Sequence, residues 1–281
     1  MRMELIVASL NRIKEFIMFY KLTTLSLIVV SQLAHAGVVN IYGAGGPHRA
    51  IEEAADFFKE IDENKDVDIN VTYGPLQTWK DCAKAISNKC SNKGADIIWG
   101  TSEHVTFTLM KEFKEHGFDL KNSHPIYFRP AVILVPKGNP KKIKNFSDLI
   151  NRPDITKIVV NTQSQKSLSS GTAIWEDIAG REGHLEDILK FRSKIVYQGE
   201  GSGDAFNFFK QNDADAWISW PEWFVNNSDK VDFVNIESNR RIYRDLTITL
   251  RDNSSEDAKR FYDFLISGKA NHIFEKYHLT R

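Results

Sequence analysis

Three segments of this 281-residue chain put glycines or hydroxyl side chains where a β-branched run ends and a helical pattern begins. Such junctions present free backbone N–H groups, which can hold a small anion without a buried counter-charge. The first is Gly43-Ala44-Gly45-Gly46-Pro47-His48. Gly45 and Gly46 let the main chain approach a ligand closely, Pro47 suits a first helical turn, and His48 gains interest from the loop it follows. A tight strand-to-helix turn is the plainer reading, and the spacing is not the G-x-G-x-x-G of a dinucleotide site. The second, Gly100-Thr101-Ser102-Glu103, offers two hydroxyls that either cap a helix or hydrogen-bond an oxyanion. The third runs through Ser170, Gly171 and Thr172 into a helix carrying Trp175-Glu176-Asp177. Together the three loops carry more weight than any one of them.

Two arginines stand beside apolar runs. Arg129 precedes Ala131-Val132-Ile133-Leu134-Val135, and Arg244 lies in the run 243–250. A guanidinium at such a place could take a carboxylate through two parallel N–H bonds, or form a salt bridge between lobes. Of the aromatic group Trp217, Trp220, Trp223 and Phe224, most belong in a core, and Trp220 after Ser219 is the one expected nearest a cleft. Catalytic patterns are missing: there is no G-x-S-x-G elbow, no H-E-x-x-H and no phosphate-binding P-loop. The eight histidines are scattered. No catalytic residue, metal or cofactor is assigned.

The elements that must position these residues alternate regularly. Strands are expected at 38–42, 67–73, 95–100, 131–135, 157–161, 195–197, 214–219 and 243–250. Helices are expected from 48, and at 79–85, 172–180, 204–211 and 256–266. Strands alternating with helices mean mostly parallel sheets covered on both faces. Two such series in one chain predict an α/β protein of two lobes with a ligand cleft between them. Lobe one takes residues 37–128 plus 251–281 and lobe two takes 129–250. The two crossing strands are expected at about 129–136 and 242–250.

Residues 1–36 read as a secretory signal peptide: Lys21, a short apolar run from Leu22 to Leu33, and the cleavage pattern Ala34-His35-Ala36. The run is too short to span a bilayer. Met18 opens a more ordinary signal than Met1, and translation is expected to start there. Lysine plus arginine and aspartate plus glutamate both total 37. Removing residues 1–36 leaves 33 basic and 35 acidic groups, a net charge of −2. That balance excludes a nucleic-acid footprint and requires any anion site to be local. Cys82 and Cys90 are the only cysteines, and an even count in an exported chain favours a disulfide over a metal pair, for which no histidine or third cysteine lies nearby.

Several strings jointly resemble the accessory colonization factor C family: I-Y-G-A-G-G-P-H-R-A-I (41–51), Y-G-P-L-Q-T-W (73–79), A-D-I-I-W-G-T-S-E (95–103) and R-P-A-V-I-L-V-P-K-G-N-P-K-K-I (129–143), continued by W-E-D-I-A-G-R (175–181), D-A-W-I-S-W (215–220) and R-I-Y-R-D (241–245). That family is similar to the sulfate- and molybdate-binding proteins of ABC importers. The resemblance implies the type II periplasmic-binding fold and ligand contacts at Gly45, Gly46, His48, Ser102 and Thr172. It implies a periplasmic monomer that captures a small anion, a sulfate-like oxyanion or a small carboxylate, and that partners an inner-membrane permease or a receptor. The alternative is a colonisation- or chemotaxis-related sensor or interaction protein on the same fold. The stretch 162–170 and the Cys82–Cys90 segment depart from the family pattern.

Overall fold

The computed structural model describes residues 37–92, 94–162 and 173–281. Residues 1–36, and Ser170, Gly171 and Thr172, lie outside the described residues. Val38–Arg281 forms one compact unit containing two five-stranded sheets. The first has the order β2-β1-β3-β10-β4, with β1 (Val38–Gly43), β2 (Asp68–Tyr73), β3 (Ile97–Gly100), β4 (Ser123–Pro130) and β10 (Tyr243–Leu250). The second has the order β7-β6-β8-β5-β9, with β5 (Val132–Pro136), β6 (Ile158–Asn161), β7 (Ile195–Gly199), β8 (Ala216–Ser219) and β9 (Val231–Asn235). In each sheet three strands run parallel, and the fourth position is filled by an antiparallel strand. That fourth strand is β10 in the first sheet and β5 in the second. Each follows directly from the outer strand of the opposite sheet, β9 and β4 respectively.

Helices cover both faces of each sheet because the strand residues alternate between two apolar clusters. Val39 and Ile41 face α1 (His48–Lys59), α9 (Glu256–Ile266) and α10 (Asn271–Lys276), whereas Tyr42 and Ile98 face α2 (Leu76–Ala83) and α3 (Glu103–Phe113). On α1 the stripe Ile51, Ala54, Ala55 and Phe58 is buried, as its spacing requires. In the second sheet Ile133 and Val135 pack toward α4 (Phe146–Asn151), α5 (Ile174–Ala179) and α6 (Leu185–Arg192). Val132 and Leu134 pack toward α7 (Ser202–Gln211).

The chain passes between the sheets at Ala131 and at 236–242, and the Ala131 amide donates to the Ile242 carbonyl at 2.9 Å. The run 243–250, expected in the second lobe, is hydrogen-bonded into the first sheet between β3 and β4. The passage is therefore one residue long on one side and seven on the other. Residues 123–130 and 231–235 are strands that the sequence did not announce. Both are outer strands, β4 carrying only a single bridge from Phe128 to Thr280 on its outer flank, and there Pro125 and Pro130 are tolerated and alternation is weak. The helix expected at 79–85 starts at Leu76 and stops at Ala83, and Ala85 adopts a φ of +59° just beyond it.

Cys82 and Cys90 form a disulfide with Cα atoms 5.7 Å apart. It ties the end of α2 to the loop leading into β3. Closing so short a loop constrains the unfolded chain by about 2.5 kcal/mol. Replacing both cysteines with serine should lower the melting temperature by roughly 5–10 °C; an unchanged melting temperature in a thermal scan would remove this role.

Glu237 lies in the second passage and holds α4. Its carboxylate accepts from the Phe146 amide at 2.7 Å, the Ser147 amide at 3.0 Å and the Ser147 hydroxyl at 2.7 Å. Burial pushes its pKa up, but these hydrogen bonds outweigh burial and leave it below the ordinary carboxylate value. A lowered folded-state value stabilises the protein above the unfolded pKa and is lost as pH falls through the folded one. Glu237→Gln should therefore cost stability at neutral pH and flatten the acid limb of the stability–pH curve, read by denaturant unfolding across pH 3–7.

Candidate functional site

The loop after β1 is held from beneath. Trp99 on β3 donates through Nε1 to the Ala44 carbonyl at 2.8 Å, and a Cβ on Gly43 would overlap the Trp99 ring. The Gly74 amide donates to the Gly43 carbonyl at 3.1 Å, bringing the loop after β2 alongside. Gly45 sits next to Gly74. His48 opens α1 and turns back on its own loop, with Nδ1 at the Gly45 carbonyl and its ring stacked on Tyr73 at 3.8 Å. This geometry fixes the loop and accounts for the histidine.

The strand-end loop at Thr101-Ser102 lies beside it. Both residues are buried, and Ser102 caps α3 by accepting from the Val105 amide at 3.3 Å. Of the two readings open for these hydroxyls, capping is the one Ser102 performs. Thr101 contributes its carbonyl, which accepts from Arg129 Nη1 at 3.0 Å.

Arg129 is the centre of the arrangement. It sits near the end of β4 and is only 3% exposed. Its Nε donates to Glu222 Oε1 at 2.8 Å, and Nη2 pairs with the same oxygen. Glu222 opens α8 (Glu222–Val225), which follows β8 of the other sheet. The guanidinium also lies over the Trp220 ring, 4.6 Å from its centroid. Trp220 is thus a buried platform for Arg129 in the second lobe's core. Gly46 completes the closure, because a Cβ there would stand 2.5 Å from Glu222 Oε1 and 3.1 Å from Arg129 Nη2. Only glycine permits that approach.

Arg244 faces Arg129 across β10 and β4 and reaches Asp177 of α5 at 2.6 Å. Two adjacent arginines of the first sheet therefore each pair with an acid of the second. The salt-bridge reading left open for both is the one the structure has. Glu222 was missed from the sequence. The only available signal was an acid between Trp220-Pro221 and Trp223 just past a strand end.

Other features are separate from this clasp. A cavity of about 510 Å³ at the end of β6 is lined by Asn161, Thr162, Ala173, Trp175, Glu176 and Gln198, all from the second sheet's side. Among the described residues, Glu182, His184 and Asp187 bring three possible metal ligands within 4.8 Å. Arg240 already pairs with both Glu182 and Asp187 and so offsets part of their charge within the chain. Among the described residues no helix is long and apolar enough to cross a membrane.

The model of the bacterial extracellular solute-binding protein family matches residues 39–280. The chain belongs to that family. It is similar to Peb3 from Campylobacter jejuni, at 37% identity, covering 86% of this chain and 99% of that one, with a TM-score of 0.75. A crystal structure of PEB3 bound to L-phospholactate matches with the same identity and coverage and a TM-score of 0.77. The sulfate-binding protein SubI from Mycobacterium tuberculosis H37Rv shares the fold at 18% identity, 86% coverage of both chains and a TM-score of 0.64. YvgL of Bacillus subtilis (strain 168), whose name describes an ABC transporter substrate-binding lipoprotein, is 24% identical over 241 residues, 82% of this chain and 84% of that one. These matches agree with the two-lobed α/β architecture expected of a periplasmic-binding-type protein.

The buried pair makes a stability prediction. Arg129→Ala leaves the Glu222 carboxylate buried without its partner and should cost about 3–5 kcal/mol, whereas Arg129→Met with Glu222→Leu should cost far less. Urea denaturation of the two variants reads the difference; equal losses would mean that the pair is not coupled. Gly46→Ala should force Glu222 or the loop aside and cost about 1–3 kcal/mol of stability, read by the same urea denaturation.

Proposed function

We propose that this protein is the periplasmic ligand-capturing component of an ABC-type uptake system, and that it takes a small oxyanion or carboxylate between its lobes. The observation that carries the reading is the Arg129–Glu222 clasp, which joins strand-end loops of both sheets beside the Gly45-Gly46 turn. Ligands of open α/β sheets bind beyond strand ends, where loops and helix starts converge. Closure about two short passages then encloses whatever sits there. Gly45, Gly46, Thr101, Ser102 and Arg129 are the first-lobe residues proposed to line the ligand, with His48 positioning the loop and Trp220 supporting Arg129. Ser170, Gly171 and Thr172 are proposed as further second-lobe contacts.

The ligand class draws on chemistry and on the relative at 37% identity. L-phospholactate, the molecule bound in the PEB3 crystal structure, carries a phosphoryl group and a carboxylate on three carbons. That combination joins the two anion classes expected from the sequence. The signal-peptide pattern read at 1–36 and the name of YvgL support export and partnership with a permease. The resemblance to accessory colonization factor C supports a role in which the captured ligand is reported to a receptor instead.

A thermal-shift panel tests this reading. Sulfate, molybdate, phosphate, L-phospholactate and small dicarboxylates are each added to the mature chain. A true ligand at a hundred times its Kd stabilises by about 2.7 kcal/mol, which is roughly 5–10 °C for a chain of this size. Silence across the whole panel would leave anion capture without support.

A further inference from the structure

Glu222 uses one of its two oxygens. Oε1 receives both Arg129 Nε and Arg129 Nη2, while Oε2 has no hydrogen-bond partner among the described residues. The side chain is 1% exposed, so bulk solvent does not reach it. A buried acceptor left unmade is costly, and a charged one more so. The neighbouring groups offer no remedy: Gly46 has no side chain, and the Trp220 ring is stacked on the guanidinium. Arg129 also has no net charge to lend to an anion, because Glu222 cancels it at contact distance.

We propose that Glu222 is a specificity-determining residue whose Oε2 accepts a hydrogen bond from the ligand, so that the site selects anions carrying a donor hydrogen. The chemical class is a protonated oxyanion, such as hydrogen phosphate, or a hydroxy acid. This rests on the anion-capture reading above and narrows it. The ligand enters with the lobes parted and meets Oε2 as they close. A fully deprotonated oxyanion such as sulfate brings no hydrogen to Oε2 and leaves it unpaired. A site built around such a bond rejects the analogue lacking the donor far more strongly than a merely apolar site rejects a missing methylene. The clasp is therefore a filter as well as a latch, and its charge neutrality is what makes it selective.

Two pairs of near-isosteric probes test this by calorimetric titration of the mature chain at neutral pH: inorganic phosphate against sulfate, and malate against succinate. In the unmodified protein the donor-bearing member of at least one pair should bind at least about tenfold more tightly. Glu222→Gln, with its amide oxygen kept on Arg129, turns an N–H toward the ligand and should abolish or reverse that preference. Glu222→Asp retains the charge and should restore part of it, and circular-dichroism melts confirm that both variants fold. Equal binding within both pairs overturns the inference while leaving anion capture intact. A Glu222→Gln variant that binds every probe more tightly by one common factor also overturns it, since Glu222 would then act only as a competitor for Arg129. Failure of all four probes, together with a silent thermal-shift panel, overturns the anion-capture reading and this inference with it.

Discussion

A guanidinium and a carboxylate, both almost wholly removed from water, meet where the two sheets of this protein come together. Removing either charge from water is expensive, and the attraction repays it only when geometry is good and the remaining donors are satisfied. Arg129 meets that condition by donating to the Thr101 carbonyl as well as to Glu222 and by resting on the Trp220 ring. Three loops are thereby referred to one side chain: the turn at Gly46, the strand end at Thr101 and the start of α8. The neighbouring Arg244–Asp177 pair spans the same junction but is partly solvated, and exposed ion pairs contribute little. The buried pair is thus one of the contacts that tie the lobes together, beside the packing of Phe224 and Phe233 on His278.

The topology makes that coupling unavoidable. Each sheet borrows its fourth strand from a chain segment that has just left the other sheet, so neither sheet is complete without both passages. Ala131 and Ile242 hydrogen-bond where the two passages run side by side, and Glu237 ties the longer one to α4. A rotation of one lobe against the other would act at these few residues. Such a rotation would leave both cores intact and shift Glu222 relative to Arg129 and Gly46.

Much of the framework was legible in the sequence because its signals are local. The apolar run 131–135, the stripe on α1 and the glycine-ended strand 97–100 each carry their own periodicity. The two outer strands did not, because an edge strand needs no continuous apolar pattern and β4 even begins with Ser123-His124-Pro125. The run 243–250 was legible as a strand but not as a member of the first sheet, since strand pairing is a long-range choice. Ser102 was open to two readings because a hydroxyl at a helix start serves either, and only the position of the Val105 amide shows that it caps the helix.

By itself the sequence determined the alternation of strands and helices, the two α/β series, and the glycine-rich turn that lets a backbone come close to another group. It could also nominate Arg129, because a lone arginine beside a buried strand demands a partner. Which partner it has was decided only by the tertiary structure. Glu222 lies 93 residues away in the chain, in a short helix with no pattern of its own. The two are brought together by the packing of two separate sheets, and no local periodicity encodes that distance. The same reason hid the unpaired oxygen of Glu222: whether a carboxylate is satisfied depends on every group around it in space, and the sequence names only those beside it along the chain.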